Sequence, residues 1–139
     1  MEVFKIVFVH TRTILLISEE QNLRDILEAC LIDLGGWQVL TADDILAGFQ
    51  QVVFTKPDAI ILVMSKFGRD GFMFLKQLRT NSLTQVIPIL LMISGAKWMD
   101  LDLFQEYQVA GIIDYEIDPV ILPYRIANLL GWDDNAQLN

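Results

Sequence analysis

The sequence predicts an α/β domain: one parallel sheet of five strands with helices packed on both faces. Three observations predict it. Short apolar runs without polar alternation recur along the chain, the pattern of strands buried on both faces. Each run is followed by a stretch with helical spacing of its apolar residues. Glycine, proline or a capping polar residue separates one element from the next. Regular alternation of strand and helix yields a parallel sheet covered on both sides. The 139 residues suit one compact domain, and the 53% hydrophobic content is enough to fill its core.

Taken in order, Thr13 to Ile17 (TILLI) is the first strand. Ser18, Glu19 and Glu20 follow it. Asn22 is a candidate helix cap, with Asp25 in the first turn. Leu23, Ile26, Leu27, Cys30, Leu31 and Leu34 then share one helical face, and Gly35–Gly36 ends the helix. Trp37 to Thr41 is the second strand, and Asp43 or Asp44 caps a helix running to about Phe54. Ala59 to Met64 is the most apolar run, so the third strand is placed centrally. A helix from Gly71 to about Arg79 turns Phe72, Leu75 and Leu78 inward. Pro88 to Ile93 is the fourth strand, Trp98 to Gln108 a fourth helix and Gly111 to Tyr115 the fifth strand. Pro123 suits the first turn of the last helix, whose N–H groups are unbonded anyway. Ile126, Leu129 and Leu130 line its inner face, and Gly131 stops it. Right-handed crossovers favour the flavodoxin-like order 2-1-3-4-5. Residues 1–12 read as an N-terminal extension or an extra strand, 13–132 as the domain and 133–139 as a polar tail.

Composition narrows the function. Ten basic residues against eighteen acidic ones give a net charge of −8. Such a chain is repelled by phosphate backbones and anionic membranes, so neither nucleic acid nor membrane is an expected partner. The single cysteine, Cys30, excludes an internal disulfide and a CxxC metal site. No apolar run approaches the roughly 20 residues of a membrane span, and the expected location is cytoplasmic.

Three stretches carry a family resemblance. ILLISEEQNLRDIL, PDAIILVMSKFGRDGF and AGIIDYEIDP, in this order, resemble the first strand and acidic cluster, the third strand and its loop, and the fifth strand of the receiver domain of bacterial two-component response regulators. The resemblance covers roughly Thr13 to Trp132. It implies a phosphorelay signalling role. A receiver accepts a phosphoryl group on a carboxylate at the end of its third strand. Oxygen ligands after the first strand hold magnesium, a lysine offsets the added charge, and a hydroxyl reports it.

Aligned without gaps, this sequence departs at each of those positions. Val63 stands at the acceptor position, and a valine cannot attack phosphorus. The acidic cluster reads Ser18, Glu19 and Glu20, leaving Glu19 and Glu20 as weak metal candidates. Asp118 stands where the lysine belongs, reversing a charge. Ser94 is the candidate switch hydroxyl, although strict counting places Ile93 there. Lys66 or Arg69 is expected to lean over the remodelled pocket. The sequence therefore reads as a pseudo-receiver, not an enzyme, needing no cofactor and no metal, that acts through protein contacts independently of phosphorylation. Trp98, Leu101, Phe104 and Tyr107 exceed one buried stripe on the fourth helix. With Tyr115 and Tyr124 they form the expected surface for a partner or homodimer, over the fourth helix, fifth strand and last helix. The alternatives are a working phosphorelay receiver with an atypical acceptor and a flavodoxin-like small-ligand binder. The second lacks a phosphate-cradling glycine loop after the first strand.

Overall fold

The computed structural model describes residues 11–64, 68–94, 105–114 and 116–132, without the side chains of residues 68 and 69. Five strands form the sheet: β1 (Thr13–Ile17), β2 (Gln38–Ala42), β3 (Ala59–Val63), β4 (Ile89–Ile93) and β5 (Gly111–Asp114). All pairings are parallel, and the order is β2-β1-β3-β4-β5. This is the predicted flavodoxin-like order. The helices are α1 (Gln21–Asp33), α2 (Ile45–Thr55), α3 (Gly68–Thr80) and α4 (Leu122–Leu130), with a further helical turn at 105–107.

Side chains alternate across the sheet, so the core has two halves. Leu15, Ile17, Ile60, Leu62 and Leu91 face α2 and α3, with Phe74, Leu75 and Leu78 from α3. Ile14, Leu16, Ile61, Val63, Leu90 and Met92 face α1 and α4, with Leu27, Leu31 and Ile126. All of β3 and β4 is buried. Each such aliphatic side chain contributes about 1.5–3 kcal/mol by leaving water.

The caps settle the helix ends. Asp44, not Asp43, starts α2: its Oδ1 accepts the Ala47 N–H at 2.7 Å. Gly48 lets α2 close on β1, since a Cβ there would lie 2.6 Å from Ile17 Cδ1. The start of α1 differs from expectation. Glu20 is its N-cap, with no side-chain cap bond, and Asn22 lies inside the first turn. Only Leu27 and Leu31 are buried on this helix, whereas Ile26 is 52% and Leu34 56% exposed. Leu23, Leu27 and Leu31 form one i, i+4 ridge, and the neighbouring ridge of Ile26, Cys30 and Leu34 rolls toward solvent. Helix α3 starts at Gly68, three residues earlier than expected, which puts Asp70 in its first turn, where the dipole favours an acid. Pro123 occupies the first turn of α4, and Gly131 closes that helix at φ 71°.

Two tethers matter beyond the core. Arg79, in the last turn of α3, donates from Nε to the Tyr107 carbonyl at 2.8 Å and from Nη1 to the Ile87 carbonyl at 3.0 Å. It also reaches the carbonyls of Gln85 at 2.9 Å and Gln108 at 3.3 Å. Burial lowers the pKa of its guanidinium below the ordinary arginine value. At the opposite corner, Arg12 lies 4.6 Å from the centre of the Trp132 ring, and Trp132 meets Trp37 edge-on at 5.6 Å. The end of the domain is thereby fastened to the start of β1.

Among the described residues, no helix is long and apolar enough to cross a membrane.

Candidate functional site

In a doubly wound sheet, chemistry belongs at the carboxyl ends of the strands. Here those ends bring Ser18, Val63, Ser94, Asp114 and Asp118 to one rim, because parallel pairing aligns Ile17 with Leu62 and Val63 with Met92.

Val63 is 1% exposed. Its side chain belongs to the core half under α1 and α4, and the following Met64 N–H donates to the Met92 carbonyl at 2.8 Å. The side chain of the last residue of β3 therefore supplies packing and offers no lone pair. Ser18 is fully buried. Its N–H donates to the Ala42 carbonyl at 3.0 Å, and its hydroxyl donates to the Glu20 carbonyl at 3.4 Å. Glu19 and Glu20 are exposed. Arg24, one turn into α1, donates from Nη1 to the Ser18 carbonyl at 2.7 Å.

The residues after β5 hold the backbone. Asp114 Oδ1 accepts the Glu116 N–H at 2.9 Å, and Asp118 Oδ1 accepts the Val120 N–H at 3.0 Å. Asp118 thus forms an Asx turn leading into α4. Ser94 is half-buried at the end of β4.

Magnesium needs a nearly octahedral set of oxygen donors. The Val63 side chain supplies none, and Ser18 brings a buried hydroxyl in place of a carboxylate. Among the described residues no three of His, Cys, Asp and Glu gather as ligands. Among the described residues, the side chains at this rim do not make up the donor set that ion requires.

Of the expected partner surface, Tyr107 and Tyr124 lie among the described residues. Tyr107 is half-buried, its ring 6.2 Å from that of Phe72 and packed against the core. Its place is inward because the Arg79 clamp holds its carbonyl. Tyr124 is 75% exposed, beside exposed Val120 and Ile121. Ile121 also lines an open cleft of about 450 Å³ between β5 and α4, with Ile112, Asp114, Ile117 and Arg125 among others. Trp98, Leu101, Phe104, Tyr115 and Lys66, and the side chain of Arg69, lie outside the described residues. The sequence reading missed Arg24, although its place six residues after Ser18 puts a cation beside the first strand end.

No model of a protein family matches this chain, and no curated protein matches it. Solved structures do. A crystal structure from Chloroflexus aurantiacus assigned to a response regulator is 25% identical with a TM-score of 0.77, covering 88% of this chain and 99% of its own. The chemotaxis response regulator CheY4 of Vibrio cholerae is 20% identical with a TM-score of 0.77, covering 86% and 99%. A sensor protein from Polaromonas sp. JS666 is 19% identical with a TM-score of 0.76, covering 86% and 96%. The sheet order and these likenesses define the class: this chain has the receiver-domain fold of response regulators.

Proposed function

We propose that this domain is a pseudo-receiver of a bacterial two-component pathway. It signals by binding a protein partner, carries no phosphoryl group and catalyses no reaction. The observation that carries this reading is Val63, buried at the end of β3 where an acceptor carboxylate would stand. Two further features support it. Asp118, at the lysine position, presents a carboxylate already committed to a turn. Ser18, at the first acidic position, is buried and bonded to backbone. The shared fold with a response regulator and a chemotaxis regulator supports the signalling role.

The partner would meet the domain beside β5 and α4. Val120, Ile121 and Tyr124 present apolar area there, and Ile121 shares the lining of a cleft with Asp114 and Arg125. Exposed aromatic and aliphatic groups around a concavity are the usual core of a protein contact. The domain would work in the cytoplasm, where such partners act.

Incubation with acetyl phosphate and magnesium, followed by intact-mass spectrometry, tests the chemical half. No adduct is expected, and beryllofluoride should leave the amide spectrum unchanged. A stoichiometric acid-stable, base-labile phosphoryl adduct would overturn the reading.

A further inference from the structure

We propose that Arg79 is a conformational latch. It holds the turn that leads into β5, residues 105–108, in a closed and strained form. Without it the turn relaxes and Tyr107 leaves Phe72. The latch is a property of the fold and holds whatever the domain signals.

The strain lies at Gln108. Its φ is 54°, in the left-handed region, where a residue with a Cβ is disfavoured by roughly tenfold in population. Its N–H donates to the Gln105 carbonyl at 3.2 Å, and its own carbonyl accepts from Arg79 Nη2 at 3.3 Å. One residue earlier, the Tyr107 carbonyl accepts from Arg79 Nε at 2.8 Å, and the Tyr107 ring lies 6.2 Å from that of Phe72. The strained backbone and the inward ring therefore share one anchor. Such a conformation persists only where its surroundings over-determine it.

The other two carbonyls on the guanidinium, those of Gln85 and Ile87, lie at the entry to β4. The two clamped segments are not equally held. The one before β4 has bonds of its own. Thr84 Oγ1 donates to the Leu78 carbonyl at 2.7 Å, and the Thr84 and Gln85 N–H groups donate to the Asn81 carbonyl at 3.0 and 2.9 Å. The Asn81 side chain accepts the Leu83 N–H at 2.9 Å. Among the described residues, the hydrogen bonds that tie 107 and 108 to distant parts of the chain all come from Arg79. The next tie is the Ala110 N–H, which donates to the Ile89 carbonyl at 2.8 Å. When the clamp is lost, the turn before β5 is therefore the one that opens. β5 carries Ile112 and Asp114 into the cleft beside α4, so the latch sets the entry of the strand behind that face.

Nuclear magnetic resonance on the full chain tests the latch. Arg79→Lys keeps the charge, but an ammonium cannot span the carbonyls that the planar fork reaches together. The open form should rise about tenfold or more with the loss of shielded charged bonds. It is read as relaxation dispersion at the amides of residues 106–109 and as weaker NOEs between the Tyr107 and Phe72 rings. Adding Gln108→Gly should lower the open form again by about tenfold, because glycine carries no left-handed penalty. A tether that only added stability would show no such rescue. The Ile60 and Leu91 amides should stay protected throughout, reporting an intact sheet. Unchanged dispersion and ring NOEs in Arg79→Lys would overturn the proposal. So would dispersion that the glycine leaves in place, or protection lost at Ile60 and Leu91 in step with the turn. Should Arg79→Lys not fold, Gln108→Gly alone decides: the ring NOEs are expected intact, and new dispersion at residues 106–109 rejects the latch.

Discussion

Replacing Arg79 with methionine should cost about 2–3 kcal/mol, and the structure says where that comes from. The guanidinium gathers four carbonyls from two segments far apart in the chain, 85–87 and 107–108. A hydrogen bond from a charged donor contributes about 1.5–3 kcal/mol when shielded from water. Two of the four are shielded, those to Tyr107 and Ile87. The two exposed bonds compete with solvent and add at most a few tenths each. Desolvation of the cation offsets part of the total, which is also why its pKa is lowered. Methionine keeps an apolar stem, so packing changes little. For a domain of this length, the loss corresponds to a fall in Tm of about 7–10 °C. Arg79→Lys should recover less than half of it, because one ammonium cannot span carbonyls that a planar fork reaches together. Urea unfolding with a shared slope gives the comparison directly. A methionine variant within about 0.5 kcal/mol of wild type would refute the clamp, since that is the scatter of an ordinary surface change.

Other substitutions test the rim and the surface. Val63→Asp should destabilise the domain by about 3 kcal/mol or more, because it buries a carboxyl beside Met92 in an apolar half of the core, and acetyl phosphate should still leave it unmodified. Burial raises that carboxyl's pKa; the unfolded chain therefore ionises first, and the deficit should grow as pH rises above about 4 and shrink in acid. Asp44→Ala should cost about 1 kcal/mol by removing the cap on Ala47, read by the same unfolding measurement. Tyr124→Glu should leave stability within about 0.5 kcal/mol while abolishing capture of the native partner from host extract; undiminished capture would move the contact elsewhere.

The sheet was legible because its strands are buried on both faces and so carry unbroken apolar runs, as in AIILV and ILLMI. The order followed from alternation and handedness. Helix faces were less legible, for a geometric reason. Helix α1 shows six apolar positions, but a helix packed on one side of a sheet buries only the ridge it rests on, so Ile26 and Leu34 reach solvent. Helix α3 erred in the other direction. Phe74, absent from the expected inner face, is fully buried, because α2 packs against α3 and Phe49 meets Phe74 edge-on at 6.5 Å. The Arg79 clamp left no trace in the sequence, because all its acceptors are backbone carbonyls, which every residue has. Tyr107 looked like surplus surface for the same reason: the contact that turns it inward belongs to the clamp and to Phe72.

The rim residues explain why one aspartate at position 63 would not rebuild a working receiver. Three positions that align with the receiver's site, Ser18, Val63 and Asp118, carry structural contacts here. The Ser18 hydroxyl and N–H are spent on the Glu20 and Ala42 carbonyls, and its own carbonyl is held by Arg24. Asp118 Oδ1 fixes the turn into α4, and its carbonyl accepts the Ile121 N–H. A lysine at position 118 would supply the missing cation but would remove the carboxylate oxygen that bonds Val120, loosening the start of the helix that carries Ile121 and Tyr124. Restoring a charge site thus works against the surface proposed for the partner. On the proposed reading the two would be linked: the Asp118 carboxylate that would give way to a lysine is the one that holds the turn into α4, which would suit a module whose signal is its binding.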